Sequence, residues 1–92
     1  LPYIFGKPDI ENFLKFKKIL DNSKISYEEI KNLYFFPSNR WDLKLKNNIV
    51  LKLPKKYPKQ ALDDAYEFLN LDNFKNLRII DLRVKNQIII ND

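Results

Sequence analysis

Trp41, Leu43 and Leu45 alternate with Asp42, Lys44 and Lys46, and after Asn47-Asn48 the alternation resumes as Ile49, Leu51 and Leu53 against Val50 and Lys52. A period of two is the signature of a strand with one apolar face, so this stretch predicts a β-hairpin. Asn tolerates positive φ better than other non-glycine residues, which suits Asn47-Asn48 to a two-residue type I′ loop. Pro54-Lys55-Lys56 ends the second strand.

Two stretches carry the helical period instead. Ile10, Phe13, Leu14, Phe16, Ile19 and Leu20 recur on one stripe, with Pro8 in the first turn, Asp9 and Glu11 at the positive end and Asp21-Asn22-Ser23 as the stop. Pro58 opens a second helix to about Leu71, with Ala61, Leu62, Ala65, Tyr66 and Leu69 on its apolar stripe and Asp63, Asp64 and Glu67 turned away. Between the first helix and the hairpin, Ile25 to Phe36 is rich in aromatic and β-branched residues and reads mainly as strand. A helical turn stays open over Tyr27-Glu28-Glu29-Ile30. Pro37-Ser38-Asn39 is a turn, and Leu1 to Phe5 is extended, bracketed by Pro2 and Pro8 and ended by Gly6. Asp72, Asn73 and Asn76 suggest turns around a buried Phe74 or Leu77.

The chain closes on a second hairpin, Ile79 to Asp92, turning at Lys85-Asn86-Gln87. In its first arm Ile80, Leu82 and Val84 are expected to face the core, and Asp81 and Arg83 to face out. Its second arm does not alternate. Ile88, Ile89 and Ile90 are apolar on both faces, yet this strand ends the sequence, and a terminal strand tends to lie at a sheet edge. The usual edge protections, an inward charge or a Pro, are missing from Ile88 to Ile90, so this edge is expected to be covered by a partner. Together the elements predict one α+β domain over residues 1–92: a largely antiparallel β-sheet with two amphipathic helices packed on one face.

Composition narrows the function. Of 92 residues 45% are hydrophobic and 32% charged, with one Gly and no Cys, which argues for a packed domain and excludes disulfides and thiolate metal sites. The net charge of +5 admits a small basic domain that binds nucleic acid or an anionic surface, but the lysines are scattered and no Arg-rich stripe or RNP-like motif is present. There is no His, so the commonest general base is absent along with the thiol nucleophile. Ser23, Ser26 and Ser38 have no adjacent base, and the carboxylate pairs Glu28-Glu29 and Asp63-Asp64 point apart on strand or helix. No metal-ligand loop and no glycine-rich phosphate loop can be assembled, so no cofactor is expected and the chain reads as a non-enzyme. Trp41 begins an apolar-alternating strand and is read as core. Arg40 and Arg83 should point away from the core, Arg40 into solvent and Arg83 beside the uncovered edge, where Arg is favoured for carboxylate contacts. No segment is apolar and long enough to span a bilayer, and the lack of any Met points to a piece of a longer protein.

Four motifs in order carry a family resemblance: Leu1-Pro2-x-x-x-Gly6, the Trp41 to Leu53 hairpin, the Ala61-Leu62 helix and Ile80-Asp81-Leu82-Arg83. They resemble the FtsQ/DivIB family of bacterial cell-division proteins, in the β domain that follows a polypeptide-transport-associated domain and a single membrane-spanning helix. The resemblance implies a non-enzymatic divisome scaffold of the cell inner membrane, with this domain in the periplasm at the division septum, linking early and late division proteins. It implies partners like FtsB and FtsL, with a strand of FtsB added to the edge formed by Gln87, Ile88, Ile89, Ile90 and Asn91. Arg83 matches an Arg that meets a partner carboxylate, and Arg40 lies near a second family contact. Val84 stands where the better-known relatives have a stacking Tyr, and Asn86-Gln87 where they have a small residue and Gly. The same open edge also admits self-association.

Overall fold

The computed structural model describes residues 1–71 and 78–91. In chain order they form β1 (Tyr3–Phe5), α1 (Ile10–Asn22), a single 3-10 turn at Tyr27–Glu29, β2 (Ile30–Phe36), β3 (Arg40–Leu45), β4 (Val50–Lys52), α2 (Pro58–Leu69), β5 (Ile79–Asp81) and β6 (Ile89–Asn91). The strands make one six-stranded sheet whose spatial order is the order in sequence, β1-β2-β3-β4-β5-β6. Three pairings are antiparallel, and two, β1 with β2 and β4 with β5, are parallel. Each parallel pair is bridged by one of the helices, because parallel neighbours need a long crossover. The predicted α+β class holds, with an antiparallel majority.

Local chemistry explains the boundaries. Asp9 caps α1, its Oδ1 accepting from the Asn12 N–H at 2.7 Å, so the helix starts two residues later than Pro8 suggested. Ser23 closes it, with its backbone N–H and its hydroxyl both donating to the Leu20 carbonyl. Of the apolar stripe on α1, Phe16 and Leu20 are buried and Phe13 and Ile19 pack against them, but Ile10 and Leu14 are exposed. They sit on the flank of the stripe, beyond the reach of the sheet. On α2, Ala61, Leu62 and Ala65 are buried while Tyr66 is exposed, and the helix ends at Leu69 rather than Leu71. The expectations for Phe74 and Leu77 fall outside the described residues.

The central hairpin forms as predicted, but its loop differs. Leu45 donates to the Ile49 carbonyl at 2.9 Å and accepts from the Asn48 N–H at 2.8 Å, which makes Lys46-Asn47-Asn48 a three-residue loop. Only Asn48 has positive φ, at 72°, so the loop is a type I turn completed by one left-handed residue, not type I′. Phe36 to Arg40 repeats the device: Asn39 donates to the Phe36 carbonyl at 2.9 Å and holds φ at 65°.

The sheet register locates the core in one row. Ile4, Leu33, Leu43, Leu51, Ile80 and Ile90 are successive cross-strand partners on the face that carries the helices. The four central residues are 0% exposed, but Ile4 is 43% and Ile90 39% exposed. The helices, which touch each other above the middle of the sheet, therefore cover four strands and leave β1 and β6 bare. Trp41 is core as read, stacked on Phe16 with ring centroids 4.6 Å apart and planes within 3°.

Candidate interaction edge

β6 pairs with β5 on one side only, and its outer edge has no strand partner among the described residues. Ile88, Ile89 and Ile90 are 39%, 41% and 39% exposed. Ile90 lies opposite Ile80 on the helix side, and Ile89 opposite Asp81 on the other face, so the run is wetted on both faces as well as along its edge. The predicted strand Gln87 to Asn91 is regular only from Ile89 to Asn91, and Gln87 and Ile88 lead into it.

The turn before it is set by Asn86. Gln87 donates to the Val84 carbonyl at 3.1 Å, and Asn86 takes φ of 62°, the pattern of a type II turn in which the third residue is left-handed. Val84 is thereby the first corner of the turn and is 48% exposed, so the expectation that it holds the core with Ile80 and Leu82 is corrected. Leu82 alone continues the core row past β5, its N–H donating to the Lys52 carbonyl at 2.8 Å.

The helix-free face of the sheet carries a second cross-strand row, Phe5, Tyr34, Asp42, Lys52, Asp81 and Ile89. Its centre is charged. Lys52 sits between Asp42 and Asp81, and each carboxylate has an arginine two residues away in sequence, Arg40 at the start of β3 and Arg83 just past the end of β5. Arg40 is paired with Asp42 and donates from Nη1 to the Leu53 carbonyl at 3.3 Å, with its guanidinium 4.5 Å from the Phe36 ring centroid. It faces away from the core as expected but is pinned by three contacts instead of lying free in solvent. Arg83 closes on Asp81 with both arms, Nε to Oδ1 at 2.9 Å and Nη2 to Oδ2 at 2.7 Å. Because β3 runs antiparallel to β4 and β5 runs parallel to it, stepping back from Asp42 and forward from Asp81 leads to the same end of the sheet. The structure thus brings Arg40 and Arg83, far apart in sequence, to either side of the strand end at Leu53-Pro54.

The two carboxylates are tuned in opposite directions. Burial pushes the Asp42 carboxyl above its ordinary 3.8, against the pull of Arg40. The hydrogen bonds from Arg83 hold Asp81 below 3.8, because that carboxylate is covered by its own guanidinium partner. Sequence reading missed Asp42 and Asp81 as partners of the arginines. The Arg-x-Asp and Asp-x-Arg spacings were a usable signal, since residues two apart on a strand share a face.

Between the start of α2 and the final turn lies a groove of about 970 Å³, open to solvent, with Tyr57 on one wall and Val84 and Ile88 on the other. Among the described residues no group of His, Cys, Asp and Glu could hold a metal ion, and no helix is long and apolar enough to cross a membrane.

Comparison with known proteins places this architecture. The family model for the C-terminal domain of the cell division proteins FtsQ and DivIB matches residues 1–83. The chain belongs to the FtsQ/DivIB family. The cell division protein FtsQ of Rickettsia conorii (strain ATCC VR-613 / Malish 7) is 45% identical over 53 residues, which are 55% of this chain and 20% of that relative. The chain therefore spans about a fifth of the relative's length. The family match ends at Arg83, so Val84, the turn and β6 lie beyond it.

Proposed function

We propose that this domain is a non-enzymatic scaffold of bacterial cell division that captures a partner strand on the outer edge of β6. The partner is an FtsB-like protein, itself joined to an FtsL-like one. The carrying observation is the position of β6, last in a six-stranded sheet and open on its outer side among the described residues. Strand addition supplies main-chain hydrogen bonds along such an edge, and alternate side chains supply selectivity. Ile89 on the helix-free face and Ile88 and Ile90 on the other bury partner side chains. Arg83 offers a guanidinium already anchored by Asp81, and Arg40 stands at the same end of the sheet. In the whole protein this domain lies in the periplasm at the division septum, held to the inner membrane by a segment outside these residues.

β1 is also an exposed edge, which provides an internal control. The test is co-purification with the periplasmic part of the organism's FtsB-like protein, using Ile89→Asp, Arg83→Glu and Ile4→Asp. Ile89→Asp should abolish capture, Arg83→Glu should weaken it, and Ile4→Asp, at the opposite edge, should leave it intact. Undiminished capture by folded Ile89→Asp and Arg83→Glu variants sinks the edge-strand reading.

A further inference from the structure

The groove between α2 and the final turn contains the least comfortable backbone of the fold. Tyr57 adopts φ 60° and ψ 45°, the left-handed region, directly before Pro58. Large side chains avoid that region, and a residue preceding proline is restricted further, so neither the residue type nor its neighbour favours this conformation. Tyr57 is the N-cap of α2 through its backbone alone, its carbonyl accepting from the Ala61 N–H at 3.2 Å; its side chain makes no capping bond, and the ring is 70% exposed. What the conformation does is hold an aromatic ring at the mouth of the groove, with Lys85 Nζ 5.8 Å from its centroid.

The charge around that ring is predominantly positive, with Asp64 the one carboxylate among the groove's lining residues. Lys55, Lys56 and Lys85 line the groove and form no ion pair among the described residues. The acid beside them, Asp64, accepts from Gln60 Nε2 at 2.9 Å, while Arg83 is taken by Asp81. Beneath the lysines the floor is apolar, made by Ala61 and Leu82. Ile88 belongs both to this groove and to the approach to β6, so a strand laid along β6 runs past the groove at its Ile88 end.

We infer that the groove walled by Tyr57 and rimmed by Lys55, Lys56 and Lys85 is a second docking surface, for an extended acidic segment of the chain that pairs with β6. The inference rests on the proposed β6 reading and adds to it the chemistry of the partner: acidic side chains toward the lysines, and an apolar one against Tyr57 and Leu82. Strained residues held in place by surrounding structure tend to mark ligand-contacting sites, and the unmatched lysines state the sign of the ligand.

Two synthetic nonapeptides alternating Ile with Thr test it, one carrying Glu and the other Lys at its terminal three positions. Binding is followed by fluorescence anisotropy against this chain at two salt concentrations. The acidic peptide should bind at least about tenfold more tightly than the basic one, as expected for a few exposed charge contacts, and the preference should shrink with salt. Lys55→Glu/Lys56→Glu should cancel the preference. Tyr57→Gly relieves the left-handed conformation, so it should melt no lower than wild type yet bind the acidic peptide about fivefold more weakly, as for loss of an exposed aromatic contact.

Equal affinity for the two peptides, or an unchanged preference in Lys55→Glu/Lys56→Glu, overturns the groove assignment. So does a Tyr57→Gly variant that binds normally. If Ile89→Asp abolishes binding while the lysine reversals do nothing, the groove fails and the β6 edge stands. If the lysine reversals weaken binding while Ile89→Asp does not, the β6 edge fails and the groove stands. Binding to phosphatidylglycerol vesicles that needs Lys55 and Lys56, with no binding of the acidic peptide, assigns the rim to a membrane surface and overturns the inference.

Discussion

The Arg83 guanidinium grips the Asp81 carboxylate two residues before it, with contacts of 2.9 and 2.7 Å, and the same carboxylate also accepts from the Arg83 backbone N–H at 3.0 Å. The arginine nearest the open edge is thus not a loose cation. Its side chain is fixed in direction by its own neighbour, which lowers the entropy cost of presenting it to a partner. A partner carboxylate must share the guanidinium with Asp81 rather than capture it outright.

This pairing has a pH signature. Arg83 holds the Asp81 carboxyl below 3.8 in the folded chain, so the ionised pair stabilises the fold above that pH and loses its contribution as pH falls through the lowered folded value. With Arg83 half exposed, solvent screens the pair and its contribution is small. Arg83→Gln should be slightly less stable than wild type in urea at pH 7, and the two should converge in acid. A gap that widens below pH 4, measured over about three units, contradicts the pairing.

The core row predicts a contrast between two isoleucines that face each other across β5 and β6. Ile80 is fully buried under the helices and Ile90 is not. Ile80→Ala should cost about 2–5 kcal/mol, the range for a large-to-small change in a sealed core. Ile90→Ala should cost under about 1 kcal/mol, because its site is already open to water. Equal losses in chemical denaturation show that something other than the helices seals the sheet.

Gly6 ends β1 at φ of 95°, and a Cβ there meets the Phe35 carbonyl oxygen. Gly6→Ala suffers both the left-handed penalty and a clash with backbone that cannot rotate away. It should lower stability by about 2–3 kcal/mol and release β1 first, since β1 hangs on β2 alone. Hydrogen exchange of the Tyr3 to Phe5 amides reads this directly, and unchanged protection in the variant refutes it.

Trp41, stacked on Phe16 at 4.6 Å and tilted against Phe35 at 4.9 Å, reports on the contact between α1 and the sheet. It is the single tryptophan of the chain, so its emission is unambiguous. Native emission should be blue-shifted and protected from iodide. Phe16→Ala should cost about 3–5 kcal/mol and open the indole to the quencher before global unfolding. A quencher response equal to wild type indicates that α1 does not shield the ring.

Much of this architecture was legible because short-range rules dominate where they agree. Alternation placed β3 and β4, and the amphipathic stripes with Asp9, Ser23 and Pro58 placed both helices. The misses share one cause. Ile10, Leu14, Tyr66 and Val84 all fit an apolar pattern yet are exposed, since a periodic stripe says which way a side chain points and not how far the opposing layer extends. The loop at Lys46-Asn47-Asn48 was assigned from residue preference, and hydrogen-bond registration between Leu45 and Ile49 decided otherwise. Of the candidate site, the unalternating Ile88-Ile89-Ile90 edge and both arginines were visible as residues, but their partners were not.

What the amino-acid order determined by itself is the set of local elements, the absence of His and Cys, and the apolar run Ile88-Ile89-Ile90 with neither charge nor Pro in it. These follow from side-chain period, turn chemistry and residue type, all of which act within a few positions. Only the tertiary structure decided that two pairings are parallel, that the helices shelter four strands and leave β1 and β6 bare, and that Arg40 and Arg83 stand at the same end of the sheet, on either side of β4. It also set Tyr57 in a left-handed corner beside three lysines that form no ion pair among the described residues. Register and layer coverage arise between segments far apart in the chain, where no local pattern reaches.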